Sequence, residues 1–330
     1  MSVFARLSGL VLRGACTALA LGLVLVWSGA ARAQFDEPES GKGAGFGEAT
    51  TKRYRAGVVV EAVGGACKGL MATIAVPTDW PEQEVRIDGE ELSPAVRPIK
   101  YRMLGNTVKQ MLVEIPVLAA GQRAQAIVTF EVRRRTILAP EDTSIFVEPK
   151  KVPKEFRVFT GPSPYIESRH PQIRALAKEA IAGKEGAWAK VEALYDVTRE
   201  KIQFKDMPLK GALQALRDGD GDCEELSSLF IALCRANDIP ARTVWVPGHC
   251  YAEFYLEDDA GKGHWFPCQP AGTRAFGEIP EMRPVLQKGD NFKVPEKKDA
   301  QRYVAEFLKG VPVAGGGGKP KVQWVREYVD

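Results

Sequence analysis

The chain has 330 residues, of which 45% are hydrophobic and 8% aromatic, with 45 Lys and Arg against 42 Asp and Glu. This composition excludes a disordered or collagen-like protein, and the length is enough for two domains with separate cores. The near-neutral charge excludes a protein whose main partner is nucleic acid, because that binding depends on neutralising phosphates. The triplet Arg133-Arg134-Arg135 is therefore interpreted as a solvated strand end.

The N-terminus has the pattern of a secretory signal peptide, predicted over residues 1–33. Two arginines lead into an apolar stretch from Gly14 to Trp27, and Ala31 and Ala33 then supply a small-residue cleavage site before Gln34. The stretch is shorter than the roughly 20 residues that span a bilayer. We therefore expect a secreted or periplasmic protein without an integral membrane segment after cleavage, an uncleaved anchor being the alternative.

The cysteine count points mildly to a functional thiol. Removal of the signal peptide leaves five cysteines: Cys67, Cys223, Cys234, Cys250 and Cys268. An odd number leaves at least one thiol without an intramolecular partner, which is a hazard in an oxidising compartment unless that thiol is buried or used.

The first half of the chain predicts a flexible linker followed by a β-sandwich. Residues 34–51 are rich in Gly, Glu and Ser without apolar periodicity, and residues 52–153 carry short β-branched runs. Asp88-Gly89 supplies a turn signal between two strands. The predicted strands are Arg55 to Val63, Leu70 to Val76, Val108 to Ile115 and Ala124 to Val132.

The second half predicts a domain of helices packed on an antiparallel sheet over residues 158–290, followed by a C-terminal extension over 291–330. Apolar residues recur at helical spacing in two segments, and Asp222 and Glu225 form a capping-box pattern for a third helix from Cys223 to Ala236. Extended runs follow at Arg242 to Val246, Cys250 to Leu256 and His264 to Cys268. A helix is expected from Asp299 to Lys309, and an extended end from Val322 to Val329. The overall fold class is α+β.

Cys223 is the candidate nucleophile because it lies in the first turn of a predicted helix, after a Gly/Asp loop. Helix N–H groups and the positive helix end stabilise a thiolate, and the same groups can donate to an oxyanion. Four acids surround this position, namely Asp220, Asp222, Glu224 and Glu225. Their negative charge would raise the pKa of the thiol, so the site requires a cationic partner.

His249 is the best candidate for that partner among three histidines. His170 precedes a proline at a helix start and His264 lies beside the hairpin turn, whereas His249 opens the strand after Pro247-Gly248. We predict that His249 acts as the general base.

Gln269 is the candidate that orients the imidazole. A hairpin loop from Glu257 to Gly261 would set His249 opposite Gln269 on one sheet face, and Cys250 opposite Cys268 on the other. The two cysteines then form either a cross-strand disulfide or two buried free thiols.

This order of a helix-start cysteine, a histidine strand and a third-residue strand resembles the transglutaminase-like superfamily, which shares the papain-type arrangement. The resemblance covers about residues 163–275. It is carried by Leu216-Arg217, Gly221-Asp222-Cys223, Leu233-Cys234-Arg235, Asp238-Ile239-Pro240-Ala241-Arg242, His249-Cys250-Tyr251-Ala252-Glu253 and Trp265-Phe266-Pro267-Cys268-Gln269-Pro270. Gln269 departs from the family, which normally has Asp at this position.

The resemblance implies thiol-dependent acyl transfer on a peptide or carboxamide, either peptidase- or amidase-type hydrolysis or transglutaminase-type transfer. The alternative is a catalytically silent peptide- or cell-wall-binding protein on the same fold. We expect no cofactor and no metal, because His249 and Cys250 point to opposite faces of a strand and cannot easily share a zinc ion with His264 and Cys268. The calcium requirement of animal members is not carried over, since no local loop of spaced acids supports it. The expected partner is a peptide or protein substrate, with the cell envelope as one source, and the oligomeric state stays open.

Overall fold

A computed structural model describes residues 43–313 and 319–329, which belong to one compact unit. The predicted signal peptide lies outside the described residues. The α+β class is confirmed. In chain order the elements are β1 (Gly45–Glu61), β2 (Cys67–Val76), β3 (Gln83–Leu92), β4 (Lys100–Leu104), β5 (Val108–Leu118), β6 (Arg123–Leu138), a 3-10 helix (Lys154–Phe159), α1 (Pro171–Ala180), α2 (Ala187–Lys201), β7 (Gln203–Phe204), α3 (Ala212–Asp218), β8 (Asp220–Gly221), α4 (Cys223–Ala236), β9 (Ala241–Val246), β10 (His249–Glu257), β11 (Gly263–Gln269), β12 (Ala275–Phe276), β13 (Gln287–Lys288), β14 (Phe307–Pro312) and β15 (Lys321–Val329).

Two antiparallel sheets face each other in the first part of the chain. The smaller sheet has the order β15-β1-β6-β3, and the larger contains β4, β5, β2 and β14. Their inner faces alternate with outward residues, so that β-branched and aromatic side chains such as Val58, Ile74, Val113 and Phe130 fill a dry core between them.

The larger sheet continues beyond the sandwich into the second part of the chain. Strand β13 pairs through Gln287 with Val108 of β5 on one side and with Trp245 of β9 on the other, which extends the sheet through β9, β10, β11 and β12. This nine-stranded sheet therefore joins the sandwich directly to the strands that carry His249 and Gln269.

The helices cover one face of β9 to β12. Helix α4 is buried along almost its whole length, because Leu229, Phe230 and Leu233 pack between α1, α2 and the sheet. Its capping box and its bounds agree with the sequence prediction. No helix among the described residues is long and apolar enough to cross a bilayer.

Buried ion pairs lie where the two halves of the nine-stranded sheet meet. Lys288 Nζ lies 2.6 Å from Glu253 Oε1 and 2.8 Å from Glu82 Oε1, and Arg242 Nε donates to Glu253 Oε2 at 2.8 Å. Burial opposes ionisation of Glu253, but Lys288 and Arg242 outweigh it and lower the pKa of Glu253 to about 2.

The solvated-strand interpretation of the arginine triplet is wrong for its central residue. Arg133 and Arg135 reach Glu84 at the surface, at 3.1 and 3.6 Å. Arg134 points the other way, because side chains alternate along β6, and its fully buried guanidinium donates to the hydroxyl of Tyr251 at 2.9 Å.

Three local predictions are corrected by long-range strand pairing. Residues 45–51 of the predicted linker belong to β1. Asp88-Gly89 lies inside β3 at a register shift against β6, which is a bulge and not a turn. The expected helix from Asp299 to Lys309 is absent: Gln301 forms a β-bridge with Phe292, the Val304 N–H donates to Gln287, and Phe307 and the residues after it pair with the edge of β2. The C-terminal segment adds one strand to each sandwich sheet, β14 to the larger and β15 to the smaller.

Candidate active site

The structure brings Cys223, His249 and Gln269 together around one cleft. Cys223 is the first residue of α4, His249 the first of β10 and Gln269 the last of β11. Each residue therefore stands at the end of an element whose body is fixed in the core. All three are partly exposed, so that a substrate can reach them.

The hairpin that carries the last two residues has a different register from the predicted one. Glu257 pairs with Gly263 and Ala252 with Cys268, an offset of two residues from the predicted pairing of Cys250 with Cys268. An offset of two preserves the sheet faces. His249 and Gln269 consequently still meet, with Nε2 of the imidazole 3.3 Å from Oε1 of the amide.

The thiol of Cys223 is stabilised in its ionised form. Hydrogen bonds from the Cys250 side chain and the His249 ring, together with the Cys250 backbone N–H, outweigh burial and lower the pKa of Cys223 to about 4. The Cys250 sulfur lies 3.5 Å from the Cys223 carbonyl oxygen and 3.8 Å from Ser227 Oγ. Cys250 thus lies beside the candidate nucleophile, a role that the sequence analysis did not assign to it.

The four acids around Cys223 all have partners of their own. Asp220 is contacted by Lys205 and Lys210, and Glu224 by Arg302. The Glu225 carboxylate accepts from the backbone N–H of Lys210 at 2.9 Å and of Asp222 at 3.2 Å. Asp220 and Glu224 are thus paired with cations, and Glu225 with backbone donors.

Asp222 behaves differently from the other three acids. Its carboxylate caps α4 by accepting from the N–H of Glu224 at 2.7 Å. Burial and a hydrogen bond with Glu225 raise the pKa of Asp222 to about 7. The Asp222–Glu225 pair therefore holds one proton in acidic solution and loses it near neutrality.

One family model matches part of the chain. Residues 174–270 match the model of the transglutaminase-like superfamily. These residues form a transglutaminase-like domain. No curated protein matches the chain.

A solved structure shares the fold over most of the chain. The structure described as a "Putative Cysteine Protease from Cytophaga hutchinsonii" aligns over 87% of this chain and 93% of its own, at 16% identity and a TM-score of 0.57. A second, a "Putative Protease from Parabacteroides distasonis", aligns over 70% of this chain and 48% of its own, at 14% identity and a TM-score of 0.29. The first of these likenesses shows a shared fold.

Side chains of helix α2 hold the backbone at Gln269, the third candidate site residue, in place. Tyr195 Oη donates to the Gln269 carbonyl at 2.8 Å, and Arg199 donates to the carbonyls of Pro270 and Gly272 at 2.8 and 2.9 Å. The Gln269 amide itself donates to the Thr273 carbonyl at 3.3 Å, which orients its oxygen towards His249. Only the helical spacing of α2 was visible in the sequence, and it gave no sign that Tyr195 and Arg199 reach this loop.

The cleft has a volume of about 1030 Å³ and mixed walls. The transglutaminase-like domain supplies most of its lining, and the C-terminal segment adds Arg302 and Tyr303. Aromatic rings of Phe204, Trp245 and Tyr303 lie among charged groups from Arg199 and Asp206. These walls offer both polar and apolar contacts to a bound molecule.

The remaining cysteines in the described residues are free and buried. Of the two alternatives for Cys250 and Cys268, the structure has free thiols. Burial raises the pKa of Cys234 and Cys268, so neither competes with Cys223 as a nucleophile. Across residues 43–313 and 319–329, no three His, Cys, Asp or Glu side chains converge to hold a metal ion. His264, a candidate zinc ligand in the sequence, instead contacts Asp258 at 2.9 Å.

Proposed function

We propose that this chain is a secreted or periplasmic cysteine peptidase or amidase that acts through Cys223, His249 and Gln269. The observation that carries the proposal is that Cys223, His249 and Gln269 line one open cleft, with Nε2 of His249 3.3 Å from the amide oxygen of Gln269. Hydrogen bonds from Cys250 and His249, which lower the pKa of Cys223 to about 4, support it. The signal-peptide pattern of residues 1–33 supports export.

The acylation step follows from this geometry. The Cys223 thiolate attacks the carbonyl carbon of a peptide or carboxamide, and the backbone N–H of Cys223, at the first position of α4, donates to the oxyanion. The His249 imidazolium then gives its proton to the departing amine as the C–N bond breaks. The products are an acyl thioester on Cys223 and a free amine.

Deacylation returns the enzyme to its starting state. Neutral His249 takes a proton from water, the hydroxide attacks the thioester carbon, and the carboxylic acid leaves as the C–S bond breaks. An amine in place of water would give a crosslink. We favour hydrolysis, because the cleft is open and lined in part by charged groups, so that water reaches the thioester.

Gln269 orients the histidine without supplying a negative charge. Its amide oxygen accepts the proton on Nε2, which leaves Nδ1 for the sulfur. The departure from the family's Asp at this position is the one observation that favours a second function, a catalytically silent binder of peptides or cell wall.

The test is selective labelling of the folded protein. Limiting iodoacetamide at pH 6 is added to the wild type, to His249→Ala and to His264→Ala as a matched histidine control, and the adduct is mapped by mass spectrometry. The proposal expects selective labelling of Cys223 in the wild type and the control, and a large loss in His249→Ala. Absent or indiscriminate labelling of Cys223 would support the silent binder.

The reaction type is tested separately. Peptides that contain Gln or Asn are incubated with the enzyme, with and without a primary amine, and products are identified by mass. Replacement of NH2 by OH with release of ammonia, or cleavage into two fragments that together gain one water, supports hydrolysis, whereas replacement of NH2 by the added amine supports transfer. Export is tested by expressing the full chain and sequencing the N-terminus of the protein outside the cytoplasm, which should begin at Gln34.

A further inference from the structure

Arg302 brings a cation to the candidate active site from outside the transglutaminase-like domain. Its guanidinium contacts the carboxylate of Glu224, the residue that follows Cys223. The guanidinium carbon also lies 4.7 Å from the ring centre of Trp245 and 5.7 Å from that of Tyr165. The Arg302 side chain is only 14% exposed, so solvent screens this pair weakly.

The backbone around Arg302 is anchored to the sheet junction. The Val304 N–H donates to Gln287 Oε1 at 2.8 Å, and Gln287 Nε2 donates back to the Val304 carbonyl at 3.4 Å. The Tyr303 ring packs edge-on against Trp245 with centres 5.1 Å apart. Since Gln287 lies in β13, the position of Arg302 is set by the strand that joins the sandwich to the catalytic strands.

Several charged or titratable groups from different elements surround the Cys223 sulfur or line its cleft. They are His249 and Cys250 on β10, Asp222 at the N-cap of α4, Glu224 and Glu225 on α4, Arg283 before β13, Arg302 in the C-terminal segment, and Arg199 and Asp206 along the cleft. Asp222 and Glu225 hydrogen-bond to each other and to the backbone, and Arg283 is paired with Glu281. Glu224 has Arg302 as its cationic partner.

We propose that Arg302 is a positioning residue that fixes the Glu224 carboxylate next to Cys223 and offsets its charge. Without this cation, a carboxylate adjacent in sequence to the nucleophile would repel the thiolate. The proposal rests on the proposed function only in taking Cys223 as the nucleophile. It makes the C-terminal segment, which also completes both sandwich sheets, part of the active site.

The test is a double-mutant cycle on Arg302 and Glu224 in the full chain. The alkylation rate of Cys223 is measured from pH 3 to pH 9 in the wild type, Arg302→Gln, Glu224→Gln and the double variant, together with the melting temperature of each. Arg302→Gln should raise the midpoint of the alkylation profile by about one pH unit, and the double variant should return to the wild-type midpoint. Glu224→Gln should lower it, because Arg302 is then an unopposed cation. Arg133→Gln, which removes a surface arginine paired with Glu84, is the matched control and should not move the midpoint.

Each outcome decides for or against the proposal. An unchanged midpoint in Arg302→Gln with a lower melting temperature would make Arg302 a purely structural residue. A double variant that keeps the midpoint of Arg302→Gln would overturn the charge explanation. Should Arg302→Gln fail to fold, an unchanged midpoint in Glu224→Gln overturns the proposal, and a lowered one supports it. Failure of the proposed function is distinct, because it appears as unselective labelling of the wild type.

Discussion

Nε2 of His249 lies 3.3 Å from the amide oxygen of Gln269, and both side chains line the cleft that contains Cys223. An amide oxygen can fix the tautomer of the ring by accepting its proton, but it cannot neutralise an imidazolium as a carboxylate does. In this site the negative charge that can neutralise the His249 imidazolium is that of the Cys223 thiolate. The histidine and cysteine are therefore expected to act as an ion pair.

Substitutions at Gln269 test this division of roles. Gln269→Ala should lower kcat/KM on a peptide or carboxamide substrate by about tenfold to a hundredfold, because the imidazole loses its orientation. Gln269→Glu keeps an acceptor and adds a charge that favours the imidazolium, so the alkaline limit of the pH–rate profile should move to higher pH. Gln214→Ala, which changes an exposed glutamine on α3, is the control. Equal activity of Gln269→Ala and the wild type would contradict the assignment.

The pH dependence of Cys223 alkylation follows from its lowered pKa. Because the pKa is about 4, the thiolate forms above pH 4, and the rate should rise through that pH and be nearly flat from about pH 5 to pH 6. An ordinary thiol would rise near pH 8.5. Iodoacetamide kinetics with mass-spectrometric mapping measure the profile, and buried Cys234 serves as an internal control that should stay unlabelled. A single inflection near pH 8 would contradict the described site.

Cys250 offers a matched pair of variants at the nucleophile. Cys250→Ser retains a side-chain donor towards the Cys223 sulfur, whereas Cys250→Ala removes it and leaves the backbone N–H. The alkylation midpoint should therefore move upward by at least one pH unit in Cys250→Ala and by much less in Cys250→Ser. If both variants shift it equally, packing and not hydrogen bonding at residue 250 sets the reactivity.

The proton held by Asp222 and Glu225 predicts a second inflection in the same profile. The pKa of Asp222 is raised to about 7, so a negative charge develops beside the sulfur as the pH rises through neutrality. The rate of Cys223 alkylation should therefore show a second inflection near pH 7 in the wild type. In Asp222→Asn, which keeps a capping oxygen for α4, that inflection should disappear while the one near pH 4 remains. A persistent inflection at pH 7 would assign it to another group.

The candidate triad was predictable from sequence because its signals are local. A cysteine after a capping aspartate, a histidine after Pro247-Gly248 and alternation along a hairpin each depend on residues near one another in the chain. The hairpin loop was misplaced by one residue, which shifts the pairing register by two, and the sheet faces were still predicted correctly because side chains alternate with a period of two.

The residues that tune the site were not predictable, because they come from distant elements. Tyr195 and Arg199 reach the Gln269 loop from α2, and Arg302 reaches Glu224 from the C-terminal segment. The same cause explains the missed strand β14: its local pattern favoured a helix, and pairing with the edge of β2 overrode that preference. Alternation along β6 likewise buries Arg134 within a triplet that composition alone assigns to the surface.

Lys288 in β13 is predicted to hold Glu82, which precedes β3 of the four-stranded sheet, to Glu253 in β10 electrostatically. Lys288→Met leaves the buried carboxylates of Glu82 and Glu253 without their shared cation, which should lower the free energy of unfolding by about 3–5 kcal/mol in urea titrations at pH 7. Lys190→Met, which removes a partly exposed pair with Glu148, should cost less than about 1 kcal/mol.

The stability of Lys288→Met should depend less on acidic pH than the stability of the wild type. The pKa of Glu253 is lowered to about 2 in the folded state, so its contribution to stability is present above the unfolded value of about 4.3 and is lost as the pH falls through 2. In Lys288→Met the lysine no longer opposes the effect of burial, the pKa rises, and the loss of stability between pH 4 and pH 2 should shrink. Unfolding curves at pH 7, 4 and 2.5 measure this difference. Parallel acid dependence in the two proteins would show that Arg242 alone keeps Glu253 ionised.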